Sequence, residues 1–265
     1  MTPASLQPTH ALPGRARVRV AVAADPAEEP LRRAAAELAR GLGLAVAGPE
    51  HPDCDLLLVA TPERLELRDA RNPRMGPVYV DFSSLDLRPF GPGLSRRQPL
   101  ARAFGKKVRT IADATAGYAQ DALLLTLMGF QVTAIERSAA VAALARDGLR
   151  RLQAQTGLDL GGRFQLTTGD ARTLLPALAR PPDAVYLDPM FPPKRKKSAA
   201  VKKEMQLLRA LVGEDEDAFE LFEIGRRAAR DRVVVKRPDD AAPLAPKPDM
   251  SFPGKLVRYD VYLVR

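Results

Sequence analysis

The chain is poor in the residues on which metal and nucleophilic chemistry most often rest. Of its 265 residues one is cysteine (Cys54), two are histidine (His10 and His51), and none is tryptophan. A single cysteine excludes an internal disulfide framework and points to a reducing compartment. With two imidazoles, neither a zinc site nor a Ser–His–Asp triad is expected, because imidazole is the usual ligand or base in both. The N-terminal stretch MTPASLQPTHALPGRARV lacks the apolar core, about 7–15 residues long, of a secretory signal. No run of about 18 apolar residues is present to span a bilayer. The expectation is a cytoplasmic protein with no membrane partner and no metal.

What is present is an ordinary apolar content of 46%, enough for a substantial core, and a formal charge of +9 with a pI near 9.9. A basic balance of that size favours a polyanionic partner. Arg17–Ala24 alternates and then runs apolar, which predicts a strand. Glu28–Arg40 sets Leu31, Ala35 and Leu38 at helical spacing, with Gly41 as a stop. Short strands are expected at Leu44–Ala47, Asp55–Ala60 and Val78–Phe82, with a further one at Arg64–Arg68. Residues 1–82 therefore read as a small α/β domain, and residues 83–104, rich in Pro, Gly and Arg, as a linker. Arg88, Arg96, Arg97 and Arg102 there read either as solvated linker charges or as phosphate contacts.

From residue 105 to 265 strands and helices alternate. Strands are expected at Val108–Ala112, Gln131–Ile135, Phe164–Thr168, Ala184–Leu187 and Arg232–Lys236, and Leu256–Val264 closes the chain as β. Helices are expected at Ala119–Met128, Ala139–Gln155, Arg172–Ala179, Ala199–Val212 and Phe219–Arg230. The fold class is α/β, with a doubly wound, mostly parallel sheet. Ligands of such sheets sit beyond the carboxyl ends of the strands, near the point where strand order reverses.

The chemistry-bearing residues fall at those ends. Asp113-Ala114-Thr115-Ala116-Gly117 follows the first of these strands, and Gly117 lets the backbone pass close to a ligand. There is no G-x-G-x-x-G, so a diphosphate cradle is not indicated, and a cofactor ending in an amino acid fits better. Gln120 and Asp121 open the next helix and either reach the ligand or cap that helix. Glu136, 23 positions after Asp113, ends the second strand, where a carboxylate accepts from both ribose hydroxyls; the alternative is a surface pair with Arg137. Asp170, followed by Ala171, ends the third strand and either accepts from an adenine amino group or caps the next helix. Asp188 ends the fourth. Together these acids outline a site for an adenosyl group carrying a cationic centre, S-adenosylmethionine.

Asp188-Pro189-Met190-Phe191 reads as the reactive element. An exocyclic amine on a base is a poor nucleophile, because its lone pair is delocalised into the ring. The Asp188 carboxylate and the Pro189 carbonyl, accepting one N–H each, would orient it, and proline fixes φ beforehand. Phe191 would stack on the base, a contact worth about 1–3 kcal/mol. Lys194, Arg195, Lys196, Lys197, Lys202 and Lys203 follow directly and read as a phosphate clamp, with Lys236 and Arg237 on the same rim. The target of such a motif is an amino group of guanine, adenine or cytosine; a non-catalytic RNA-binding factor on the same fold is the alternative from another class.

The stretches DATAGYAQDALLL, IERSAAVAALARDGL, VYLDPMFPPKRKKSAAVKKEMQLLRALVG and RVVVKRPDDAAPL resemble the ribosomal small-subunit RNA methyltransferase J family. The resemblance runs over roughly residues 80–265 and is carried most specifically by DPMFP and the K-S-A-x-V-K-K-E-M run. It implies a Rossmann-like class I methyltransferase that methylates a guanine N2 of 16S rRNA, free or in the small subunit. By position it implies cofactor contacts at Gln120-Asp121, Glu136-Arg137, Asp170-Ala171 and Asp188. Gln120 stands where the family leads one to expect Arg, and Asp170-Ala171 where a Ser-Ser pair is more typical.

Overall fold

The structure, a computed structural model, describes residues 18–47, 54–88, 91, 94–190, 206–209, 211 and 217–264. They fall into two compact units. One holds the described residues of Met1–Asp81, Ser138–Thr156 and Pro193–Gly213, the other those of Phe82–Arg137, Gly157–Pro192 and Glu214–Arg265.

The first unit is built on a four-stranded sheet. Strands β1 (Val20–Ala24), β2 (Ala45–Val46), β3 (Leu56–Ala60) and β4 (Leu65–Asp69) lie in the order β2-β1-β3-β4. β1 is parallel to both neighbours, and β3 and β4 are antiparallel. Helix α1 (Glu29–Leu42) makes the crossover from β1 to β2 and stops at Gly43, whose φ of 65° suits a residue without a Cβ. Ala21, Ala23, Cys54, Leu57 and Val59 form a core here, so the lone cysteine is buried. The strand expected at Val78–Phe82 reduces to one bridge between Val78 and Leu67. The Val80 carbonyl takes the Arg151 guanidinium in place of a strand partner.

Helix α4 (Ala139–Thr156) groups with this unit, an association its sequence did not announce. Asp147 on α4 accepts from the Leu65 N–H at 3.0 Å and from Arg150 and Arg151 at 2.8 Å each. Gly148 lets the helix come close: a Cβ there would stand 2.7 Å from Val80 Cγ1.

The second unit carries a seven-stranded sheet. Its strands are β5 (Thr110–Asp113), β6 (Gln131–Glu136), β7 (Phe164–Thr168), β8 (Ala184–Leu187), β9 (Arg232–Pro238), β10 (Met250–Pro253) and β11 (Val257–Leu263). Their order is β10-β11-β9-β8-β5-β6-β7. The pairs β5–β6, β5–β8, β6–β7 and β8–β9 are parallel, while β11 is antiparallel to β9 and to β10. β5 therefore lies between β6 and β8, the point where strand order reverses.

Helices α3 (Gln120–Leu127), α5 (Ala171–Leu174) and α6 (Ala218–Ala228) follow β5, β7 and β8 in the chain. On one face of the sheet Val185, Leu187, Val233 and Val235 pack with Leu221 and Phe222 of α6. Alternation turns Tyr186 and Val234 to the other face. There Tyr186 meets Phe104 edge-on at 6.0 Å between ring centroids. Phe104 ends α2 (Pro99–Phe104), a helix hidden in the Pro- and Arg-rich stretch that read as linker. Its buried Leu100, Ala101, Ala103 and Phe104 explain why it orders.

Two further differences from the sequence reading have local causes. The helix expected over Arg172–Ala179 is the short α5, because Pro176 brings no N–H for a further turn. Of the helix expected over Ala199–Val212, residues 206–209 and 211 are helical and the others lie outside the described residues. Among the described residues no helix is long and apolar enough to cross a membrane.

Candidate active site

The site is assembled at the carboxyl ends of β5, β6, β7 and β8. Asp113 is the last residue of β5, with Ala134 of β6 and Tyr186 of β8 as register partners. Glu136 is the last residue of β6, Asp170 lies two positions beyond β7, and Asp188 one beyond β8. Asp113 is buried, and its Oδ1 accepts from the Thr115 N–H at 3.1 Å. Burial pushes its pKa well above the ordinary carboxylate range; the Thr115 hydrogen bond opposes this, and the charges of Asp121, Asp188 and Glu136 add to it. Glu136 is also buried, and its Oε2 accepts from the Gly117 N–H at 2.8 Å.

Gly117 has φ +53°, and no atom lies within 4 Å of where a Cβ would stand, so the turn after β5 opens onto empty space. Ala119, at the start of α3, also takes a left-handed φ of 62° although it carries a Cβ and is fully buried. Backbone held in that region by its surroundings costs on the order of 1 kcal/mol and clusters where a ligand is gripped.

Asp188 has the most connected position. Its N–H donates to Thr115 Oγ1 at 2.6 Å, which ties the end of β8 to the turn after β5. Its Oδ2 lies 2.9 Å from Lys236 Nζ, and the same ammonium lies 2.8 Å from Asp121 Oδ2. Asp121 Oδ2 also accepts from the Tyr186 hydroxyl at 2.6 Å. Register explains the meeting: Leu187 pairs with Val235, so Asp188 and Lys236 are the next residues of adjacent parallel strands. Burial alone would lower the Lys236 pKa, but the charges of Asp188 and Asp121 outweigh it and raise the pKa above the usual lysine range. The Asp188 side chain stays 38% exposed, so it can still be approached from solvent. Tyr259 of β11 lines the same cluster, where burial and then the Asp121 charge push its pKa up to about 12.

The far rim is an arginine network. Asp170 caps α5 by accepting from the Arg172 N–H at 2.8 Å and pairs with the Arg172 guanidinium at 2.7 Å. Hydrogen bonding from Arg172 holds its carboxyl below the ordinary range, although burial opposes it. Arg172 reaches Glu220 at 3.0 Å and Asp217 at 3.5 Å, and Arg137 reaches Asp217 at 3.4 Å. Gln120 is exposed at the start of α3, and Ala171 is buried.

A family model described as "Putative SAM-dependent methyltransferase" matches residues 38–264. The chain is 43% identical over 244 residues to the ribosomal RNA small subunit methyltransferase J of Coxiella burnetii, covering 89% of this chain and 94% of that protein. It is 48% identical over 216 residues to the protein of the same name from Aeromonas salmonicida, covering 78% and 86%. The crystal structure of the SAM-dependent methyltransferase NGO1261 from Neisseria gonorrhoeae superposes with a TM-score of 0.69. It is 33% identical, with coverage of 92% of this chain and 96% of that one. The chain belongs to the ribosomal RNA small subunit methyltransferase J family. It is a methyltransferase, and its cofactor is S-adenosylmethionine.

The residues of this methyltransferase fit that cofactor. The turn at Gly117 leaves room for a ligand, and Asp113, Glu136, Asp170 and Asp188 at the strand ends supply carboxylates that a sulfonium and an ammonium would complement. Among the described residues no group of His, Cys, Asp and Glu is arranged to hold a metal ion. Phe191, Lys194, Arg195, Lys196, Lys197, Lys202 and Lys203 lie outside the described residues.

Two cations assigned to the open rim are placed inward. Lys236 bridges Asp121 and Asp188, and Arg237 is buried with its guanidinium on the Ala242 carbonyl. The sequence shows their charge but not these partners, which come from β8, α3 and the loop after β9. Of the linker arginines, Arg88 pairs with Asp86, Arg96 stacks on Phe130 at 4.2 Å, and Arg102 lies over Phe252 at 5.1 Å. Tyr186 is the residue sequence reasoning missed. Its hydroxyl, which donates to Asp121, was legible only as the sole side-chain polar atom in an otherwise apolar β8.

Proposed function

We propose that this chain transfers the methyl group of S-adenosylmethionine to the exocyclic N2 of a guanine in small-subunit (16S) ribosomal RNA. The observation that carries the reading is Asp188: a carboxylate anchored through its own N–H and one oxygen, yet approachable, directly before Pro189 at the reversal point of the sheet. The relatives' shared name supports the RNA substrate, and such a substrate places the work in the cytoplasm.

When bound, the cofactor supplies an electrophilic methyl group on a cationic sulfur. Glu136 holds the ribose hydroxyls, Asp170 and Ala171 face the adenine, and Gln120, Asp121 and Arg137 complete the lining. Asp113 and Gly117 shape the turn against which the amino-acid end lies. The Asp188 carboxylate and the Pro189 carbonyl each accept one N–H of the target amine, which turns its lone pair toward the methyl carbon. Held there, the cofactor would give up its methyl group to the new N–C bond and leave as S-adenosylhomocysteine with the electron pair of the broken C–S bond. The nitrogen becomes acidic, and its proton leaves through the hydrogen bond to Asp188, so no histidine is required. Phe191 stacks on the base, flipped out where it lies in a helix, and the run from Lys194 to Lys203 holds phosphates.

Asp188→Ala tests the reading. Turnover is expected to vanish while affinity for 16S rRNA stays as in the parent protein; turnover at the parent rate would sink it.

A further inference from the structure

Lys236 has the charge of a phosphate-binding lysine and the position of something else. Its ammonium lies between Asp121 Oδ2 at 2.8 Å and Asp188 Oδ2 at 2.9 Å, with a side chain only 22% exposed. Each anchor is itself fixed. Asp121 stands in the first turn of α3 and takes the hydroxyl of Tyr186, whose ring is fully buried against Phe104. Lys236 is an interior residue of β9: its neighbour Val235 pairs with Leu187 of β8, and Lys236 itself pairs with Tyr259 of β11. The chain Tyr186–Asp121–Lys236–Asp188 thus runs from the packed sheet face to the carboxylate at the end of β8.

We propose that Lys236 is a positioning residue for methyl transfer. It holds one oxygen of Asp188 in place and keeps the carboxylate ionised, so that the group accepts an amine N–H in a single orientation. The proposal rests on the reading of Asp188 given above. The need for such a cation follows from the surroundings. The Asp188 charge acts on Asp113 of β5, on Tyr186 of its own strand and on Tyr259 of β11, Asp121 shares the lysine with it, and Glu136 also acts on Asp113. All of these are acids or hydroxyls. Among these groups the Lys236 ammonium is the cation, and without it the neighbouring negative charge would favour a protonated Asp188. A protonated carboxyl presents an O–H to the amine on one side and loses its anionic pull on the other.

The role separates cleanly from a grip on phosphate. Lys236→Met, close in shape and uncharged, is predicted to lower kcat about 100-fold, the scale of a small misplacement of a reacting group. The KM for 16S rRNA, its salt dependence and the affinity for S-adenosylhomocysteine should stay unchanged. The acid limb of the kcat–pH profile should move to higher pH, because Asp188 loses the charge that keeps it ionised. Lys236→Arg, which restores the charge with altered geometry, should return the limb toward the parent position and recover part of kcat, and it stands as the test if the Met variant does not fold. An unchanged kcat and pH limb in Lys236→Met would overturn the proposal, and so would a pH limb in Lys236→Arg that is displaced from the parent position although the charge is kept. So would a raised KM with a weaker salt dependence, which identifies a phosphate contact, or loss of S-adenosylhomocysteine binding, which identifies a structural role. Asp188→Ala is run alongside. If it is inactive and Lys236→Met turns over at the parent rate, the positioning role alone falls; if Asp188→Ala turns over normally, the reading of Asp188 falls and the proposal with it.

Discussion

Gly117→Ala separates the backbone's demand from the cofactor's. Gly117 sits at φ +53°, where a residue with a Cβ pays about 1–2 kcal/mol, and no protein atom lies within 4 Å of the added methyl. The ligand-free protein should therefore lose only that strain, a fall in Tm of about 2–8 °C for a chain of this size. If the cofactor fills the space, the methyl presses on it, and overpacking of that kind costs about 1–3 kcal/mol, roughly 5- to 150-fold in affinity. Gly157→Ala is the control, because Gly157 has φ +67° and equally open surroundings but lies between α4 and β7, at the other end of the strands. Calorimetric titration with S-adenosylhomocysteine, with melting curves for both variants, reads the two effects separately. Equal losses of Tm with weakened binding in Gly117→Ala alone are expected. Parent-like binding in Gly117→Ala would refute the claim that the cofactor lies against this turn.

The remaining predictions concern the ribose and the helix that joins the first unit. Glu136→Gln keeps an acceptor for the Gly117 N–H but loses the charge, so affinity for S-adenosylhomocysteine should fall about tenfold; an unchanged Kd would remove Glu136 from the cofactor's contacts. Asp147→Ala removes the acceptor shared by Leu65, Arg150 and Arg151 and should cost about 2 kcal/mol in denaturant unfolding, with a parent-like midpoint as the contrary result. The Asp147 side chain is pushed up in pKa by burial, but the Arg151, Leu65 and Arg150 hydrogen bonds outweigh this and leave it below the ordinary value of 3.8. A depressed carboxylate stabilises above its unfolded pKa, so this contribution is present at neutral pH and lost as pH falls below about 4 through the folded value. The gap in stability between parent and Asp147→Ala should close over that range, and a gap that persists below it would contradict the assignment.

The parallel sheet was legible because its strands are short apolar runs separated by helical periods, and strand ends are where such a sheet keeps its ligands. That logic places Asp113, Glu136, Asp170 and Asp188 together at the carboxyl end of the strands. Side-chain partners were not legible, since they depend on register and on which residues alternate to the same face. Lys236 is the clearest case: its charge reads as a phosphate contact until the pairing of Leu187 with Val235 brings it beside Asp188. Helix α2 was hidden because Pro99 and the neighbouring arginines have the composition of a linker, and only burial of Leu100 and Phe104 distinguishes it. α4 follows the alternation of the larger sheet in sequence, and its tie to the first unit rests on Asp147 against Leu65, on Arg151 at the Val80 carbonyl and on the space that Gly148 leaves for Val80. No periodicity encodes either.

The most direct test of the account is transfer of a labelled methyl group from S-adenosylmethionine to small ribosomal subunits lacking the modification, and to naked 16S rRNA, followed by nucleoside mass analysis. The account predicts N2-methylguanosine at a single site. Label in adenosine or cytidine, or no label from a protein that binds S-adenosylhomocysteine, would contradict it.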